Sequence, residues 1–167
     1  MALTPDVVGA PETTSGRVVL FRAGTGLCAL PVRQVIETMR PQPLRPLAGA
    51  PPYVTGVSVI RGAPVPVVDV ATLVHGTGGG PVGRLVTVKA AEPSGATRTV
   101  ALAVAEVVGV ATIPDDALEQ LPPLLGADRR AAIEAIGTAG TGTLLLLDAA
   151  RVVPDEVWRA LPEPAAR

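Results

Sequence analysis

Short apolar runs of period two recur along this chain, each cut off after five to eight residues by Gly, Pro or polar clusters. That pattern predicts many short β-strands and few long helices. Arg17 to Ala23 and Arg84 to Ala90 open two such series. A partner strand follows each; in the second, Val100, Leu102 and Val104 point one way while Thr97, Thr99 and Ala101 point the other, after a Pro93-Ser94-Gly95 turn. Third strands are expected over Val35 to Arg40 and Val107 to Ile113, each closed by a proline that cannot continue a hydrogen-bond ladder. Val54 to Ile60 with Val65 to Val68, and Ile133 to Ala139 with Thr143 to Leu147, complete the two series. Alternation points Val57, Val59, Val65 and Val67 toward one core, with Arg61-Gly62 at the bend between them. Gly62, lacking a Cβ, permits a positive φ there, and Arg61 projects from a rigid corner.

The two series echo each other. A-L-P-V-R-Q-V at Ala29 to Val35 returns as A-L-A-V-A-E-V at Ala101 to Val107, identical at four of seven positions. P-V-V-D-V-A-T-L-V ending at Val74 returns as L-L-L-D-A-A-R-V-V ending at Val153, with Asp69 and Asp148 in register. The order of elements repeats as well, so the chain reads as one unit used twice. Five short strands per unit leave exposed edges unless each unit curls. The expected fold is therefore all-β: two five-stranded SH3-like barrels packed side by side, with short helical turns and a C-terminal helix. Leu144 to Leu147, apolar at four successive positions, is expected near the shared face or beneath that helix.

In this reading residues 1–16 are a disordered leader and 17–153 a single domain. Its subdomains are 17–75 and 84–153, joined by a glycine-rich connector at 76–83. Residues 154–167 form the helix and a loose tail. The loop from Pro41 to Pro52 holds five prolines and should be stiff and extended. Another runs from Pro114 to about Gly126, with Asp115-Asp116 starting a helical turn. The last helix is expected to start at Pro154, with Asp155 and Glu156 in its first turn and Val153, Val157 and Leu161 as a docking stripe.

Composition narrows the function. Net charge is -1 and 17% of residues are charged, so no basic footprint for nucleic acid or an anionic membrane is present. Gly and Pro account for 36 of 167 residues, in keeping with turns and short strands. One cysteine forms no internal disulfide framework and fits a reducing compartment. No apolar run approaches the roughly 20 residues that cross a bilayer, and the expected location is the cytoplasm.

Groups for catalysis are sparse. His75, the one histidine, sits in H-G-T-G-G-G-P-V-G and reads as a solvent-exposed linker residue, although spacing alone leaves a Cys28-His75 dyad open. Cys28 lies between Leu27 and Ala29 in a strand, surroundings that raise a thiol's pKa. One Cys and one His do not make a structural metal site, and no metal or other cofactor is expected. Gly78, Gly80 and Gly83 match G-x-G-x-x-G but lead into a strand, which is the wrong context for a phosphate cradle. Asp69 and Asp148 read as helix N-caps accepting backbone N–H groups. Glu37 reads as an outward strand residue. No catalytic residue is assigned; an enzyme using Cys28 and His75, or a small-ligand-binding β-barrel, is the rival reading.

F-R-A-G-T-G-L-C-A-L-P-V-R-Q-V-I-E at Phe21 to Glu37 and G-V-S-V-I-R-G-A-P-V-P-V-V-D at Gly56 to Asp69 resemble the CheW-like chemotaxis coupling proteins. V-A-E-V-V-G-V at Val104 to Val110 and L-P-P-L-L-G at Leu121 to Gly126 support the likeness, which covers about Arg17 to Val153. The resemblance implies two five-stranded barrels and a non-catalytic adaptor. Such an adaptor joins the cytoplasmic tip of methyl-accepting chemoreceptors to the regulatory domain of a CheA-type histidine kinase. It implies Arg61, Glu37 and Val35 as receptor contacts and leaves the kinase-binding residues unassigned. Val59 stands where the family commonly has asparagine, and Ala105 where it commonly has aspartate. These departures bear on partner identity, and a scaffold in a non-flagellar pathway controlling surface motility or gene regulation is the alternative.

Overall fold

The computed structural model describes residues 16–76, 80–92, 94–114, 118–119, 133–139, 142–149 and 152–161. The leader before Gly16, the Gly78 end of the connector, the Asp115-Asp116 turn and the tail after Leu161 lie outside them. The strands are β1 (Arg17–Ala23), β2 (Gly26–Pro31), β3 (Val35–Met39), β4 (Val54–Ile60), β5 (Ala63–Asp69) and β6 (Arg84–Ala91). They continue as β7 (Thr97–Val104), β8 (Glu106–Thr112), β9 (Leu118–Glu119), β10 (Ile133–Ala139) and β11 (Gly142–Leu147). A 3-10 turn (Val32–Gln34) joins β2 to β3, α1 (Val70–His75) follows β5, and α2 (Asp155–Ala160) comes last. The fold is all-β with few short helices, as the periodicity predicts.

Two sheets lie side by side. The first runs β8-β1-β2-β11-β10-β9 and the second β3-β6-β7-β5-β4. Each draws on both sequence repeats, so the sheets cut across the division at 17–75 and 84–153: the opening hairpin of either repeat lies in the sheet built by the last strands of the other. The exchange is symmetric. Leu146 pairs in parallel with Ala29, and Val67 with Ala101, the corresponding residues of the two repeats. Bulges correspond too: the register shifts between Val54 and Gly56 against β5, and between Ile133 and Ala135 against β11.

The sheets curl. β3 and β4 are opposite edges of the second sheet, yet the chain leaving β3 returns to β4, where Arg45 and Val57 exchange backbone hydrogen bonds at 2.9 and 2.8 Å. Ser58 Oγ also donates to Pro43 O at 2.8 Å. In the first sheet β9 meets β10 at the corresponding place, Glu119 opposite Ile136. The second sheet is thus strapped across by one extra segment, although no ladder pairs β3 with β4 among the described residues, and the first carries β9 as a sixth strand beyond β10. The strap explains Gly56: its φ is +155°, and a Cβ there would run into Arg45 O.

Three clusters fill the interior. Val18, Ala29, Ile113, Leu144 and Leu146 lie inside the first sheet, and Ile60, Val65, Val67, Leu85 and Ala101 inside the second. Between the sheets a shared core takes Phe21, Cys28 and Leu30 from one and Val88, Val100 and Leu102 from the other. The Leu144 to Leu147 run is divided accordingly: Leu144 and Leu146 face the first sheet's own core, while Leu147 joins the shared core with Val157 and Trp158 of α2.

Several expectations are corrected. Val59 does not face the core of Val65 and Val67; it is 70% exposed. The two-residue turn is the reason, because pairing Ile60 with Ala63 puts Ser58 opposite Val65, and Val59 opposite Pro64 on the other face. Asp69 occupies the N-cap position of α1 without a side-chain bond to the backbone; its Oδ2 instead accepts from Thr72 Oγ1 at 2.7 Å. Pro154 is the N-cap of α2, one residue before the helix. His75 is exposed but ends α1 instead of lying in the linker.

Candidate functional site

Arg61 and Gly62 form the whole loop between β4 and β5, with φ of 52° and 77°. Positive φ at both central residues is the signature of a type I′ hairpin turn, whose twist matches the flanking strands. Glycine adopts that geometry without strain, whereas arginine does not. A bulky side chain is therefore held in the left-handed region at the tip of a rigid hairpin.

Glu37 sits on β3, just past a bulge between Val35 and Glu37 in the pairing with β6. Its backbone is fixed by Thr87 Oγ1, which donates to Glu37 O at 3.2 Å. The curl of the sheet brings Arg61 over this residue. Arg61 Nε donates to Glu37 Oε1 at 2.8 Å and Nη2 to Oε2 at 2.6 Å, a bidentate fork between opposite edges of one sheet. The hydrogen bond from Arg61 lowers the Glu37 pKa, and the carboxylate in turn raises that of Arg61. The Arg61 side chain remains 76% exposed and that of Glu37 28%. The pair lies at the surface, and a partner can reach the guanidinium.

Val35, half-buried, packs against the shared core on the other side of the bulge. Ile36, the bulged residue between them, is 45% exposed. The structure thus joins Glu37 to Arg61 directly and sets Val35 next to them on the same edge strand. Val107 was not singled out from the sequence, although the repeat that equates Ala29 to Val35 with Ala101 to Val107 pairs it with Val35. It too packs against the shared core, and its neighbours Val108 and Val110 are exposed on β8, the edge of the first sheet. An apolar strip therefore borders the shared core from each sheet, and each has an acid–arginine pair beside it: Arg61 donates to Glu37 in the second sheet, and Arg22 Nε donates to Glu106 Oε1 at 2.8 Å in the first.

A concavity of about 650 Å³ lies beside β4, between the 43–47 segment and Val57, Val59 and Pro64, with Leu161 in its wall. Ala105, the other departure, is half-buried at the β7–β8 junction, where its N–H donates to Arg22 O at 2.8 Å.

Cys28 and His75 do not form a reactive pair. Cys28 is enclosed in the shared core, where burial pushes its thiol up to about 12, the opposite of what a nucleophile requires. His75 Nε2 lies 3.2 Å from Ala23 O and its ring packs on the Gly24 and Gly26 turn. Among the described residues no group of three or more His, Cys, Asp or Glu is placed to hold a metal, and no helix is long and apolar enough to cross a membrane.

Paired curled sheets around a shared core, with exposed apolar residues on their edges, define a β-rich fold. The CheW-like domain model matches residues 17–157, and the chain belongs to that family. It is similar to the crystal structure of the scaffolding protein TtCheW from Thermoanaerobacter tengcongensis. That likeness has a TM-score of 0.65 at 20% identity and covers 83% of this chain and 92% of that one. A search of curated proteins found no match.

Proposed function

We propose that this protein is a non-catalytic adaptor that couples methyl-accepting chemoreceptors to a CheA-type histidine kinase, with Arg61, Glu37 and Val35 as receptor contacts. The observation that carries the reading is the Glu37–Arg61 fork. An arginine at a positive φ, where glycine or asparagine would be less strained, carries a backbone cost that points to a role for its side chain. The paired carboxylate fixes the guanidinium while leaving most of it open to a second acceptor. Beside it, Val35 and Ile36 supply apolar contact, so a helix with one apolar face and a flanking acid is a matching partner. The kinase's own CheW-like regulatory domain is the second partner, docking at a barrel end. Such a protein works in the cytoplasm, associated with the membrane through receptor arrays. Val59 and Ala105 depart from the family pattern and bear on which receptor and kinase are recognised, a non-flagellar pathway included.

The test is a pull-down of the cognate kinase's regulatory domain and of a receptor tip fragment by the wild-type chain and by Arg61→Glu. The expected result is loss of receptor binding with kinase binding retained. Wild-type protein that captures neither partner would end the adaptor reading.

A further inference from the structure

Glu37 and its counterpart Gly109 each follow a bulge at the same place. In the second sheet Val35 pairs with Val88 and Glu37 with Thr87, so Ile36 is the extra residue; in the first, Val107 pairs with Phe21 and Gly109 with Leu20, so Val108 is. Thr87 and Leu20 correspond as well, each fourth in the strand that opens its repeat. Both point into their own sheet's core: Leu20 lies with Val18 in the first, and Thr87 follows the alternation of Leu85 in the second, opposite Ala101. Thr87 is 1% exposed. A hydroxyl costs free energy in such a place unless it is bonded, and this one donates to Glu37 O at 3.2 Å. The bulge of the first sheet forms around Leu20, an apolar side chain, so the hydroxyl is not a requirement of the fold. It stands where the opposite residue is an acid and is missing where that residue is glycine.

We propose that Thr87 is the positioning residue of the Glu37–Arg61 fork, its hydroxyl holding the Glu37 backbone so that the carboxylate meets the guanidinium in line. A bulge releases its strand from the regular ladder and re-aims side chains, so the direction in which Glu37 points is set by whatever fixes the peptide beside it. The fork closes at 2.8 and 2.6 Å and tolerates little misalignment, because both of its bonds are directional. Thr87 is buried beneath the edge strand and acts through Glu37, not by touching a partner. Its consequence for binding rests on the receptor reading of Arg61 and Glu37; its consequence for the fork does not.

Thr87→Val in the full chain keeps the shape and removes the donor, whereas Thr87→Ser keeps the donor. In Thr87→Val the Glu37 carboxyl, followed by NMR, should titrate closer to the ordinary glutamate value, and the Arg61 Nε–H should exchange faster with solvent. Capture of the receptor tip fragment should fall roughly two- to tenfold, the change that one neutral hydrogen bond supports, with kinase-domain capture retained. Thr87→Ser should restore all three. Thr112→Val on β8 is the control, since the buried Thr112 hydroxyl finds no partner among the described residues, and it should leave the fork as it is. An unchanged Glu37 titration in Thr87→Val, or the same shift in Thr87→Ser or Thr112→Val, overturns the proposal. A loosened fork with receptor capture undiminished upholds Thr87 as its positioning residue and overturns the receptor reading of the fork instead.

Discussion

Val35 and Val107 hold the same place in the two repeats, and both pack against the shared core. Two residues further on the repeats diverge: Glu37 faces Arg61, whereas its counterpart Gly109, at φ +155°, has nothing within 4 Å of where a Cβ would stand. On β4 and β10 the bulges match, and two residues join each to its partner strand, Arg61-Gly62 in one and Gly140-Thr141 in the other. Duplication preserved what the cores need, because each cluster accepts apolar residues of similar volume at corresponding positions. The proposed receptor contacts lie where the symmetry breaks, since a solvent-facing position carries no packing constraint.

The widest test of this symmetry is in the shared core. Leu30→Ala and Leu102→Ala, in corresponding and fully buried positions, should each cost about 2–5 kcal/mol in denaturant unfolding, by similar amounts. A large inequality would mean that the sheets do not support each other equally. Next come the two glycines of φ +155°, which separate backbone strain from crowding. Gly109→Ala should cost the strain alone, about 1–3 kcal/mol, while Gly56→Ala adds the clash with Arg45 O and loses measurably more. Equal losses would remove the strap from the account.

Cys28→Val, which makes the first repeat match Val100 of the second, should change stability by less than about 1.5 kcal/mol. Arg61→Gly should leave the unfolding midpoint almost unchanged, because relief of the left-handed backbone offsets loss of an exposed ion pair, yet receptor capture should fall. A drop in stability with binding intact would make Arg61 a structural residue. The smallest effect is the titration of Glu37. Its folded pKa is depressed, so the pair's contribution is present above the unfolded pKa and disappears as pH falls through the folded one. Side-chain carboxyl shifts followed by NMR should place that midpoint below the usual glutamate range, and Arg61→Gly should return it there.

Much of this molecule is written in local order. The period-two runs place ten of the strands, because each lies in a sheet with a buried face, and only the two-residue β9 went unforeseen. The echo of Ala29 to Val35 in Ala101 to Val107 announces the duplication, and the stripe Val153, Val157, Leu161 announces α2 and is buried throughout. Arg61-Gly62 marks its turn by itself, and the resemblance to coupling proteins rests on the residues around it.

Tertiary structure alone decided which strands share a sheet. Local patterns state that a strand has an apolar face but not whose face it meets, so the exchange of opening hairpins between repeats left no sign in spacing. The fate of Val59 turned on hairpin parity, a property of paired strands. Glu37 and Arg61, 24 residues apart, meet because the second sheet curls and its strap draws opposite edges together. Each residue was visible in sequence as a candidate; that they grip one another is a consequence of curvature, which no single strand encodes.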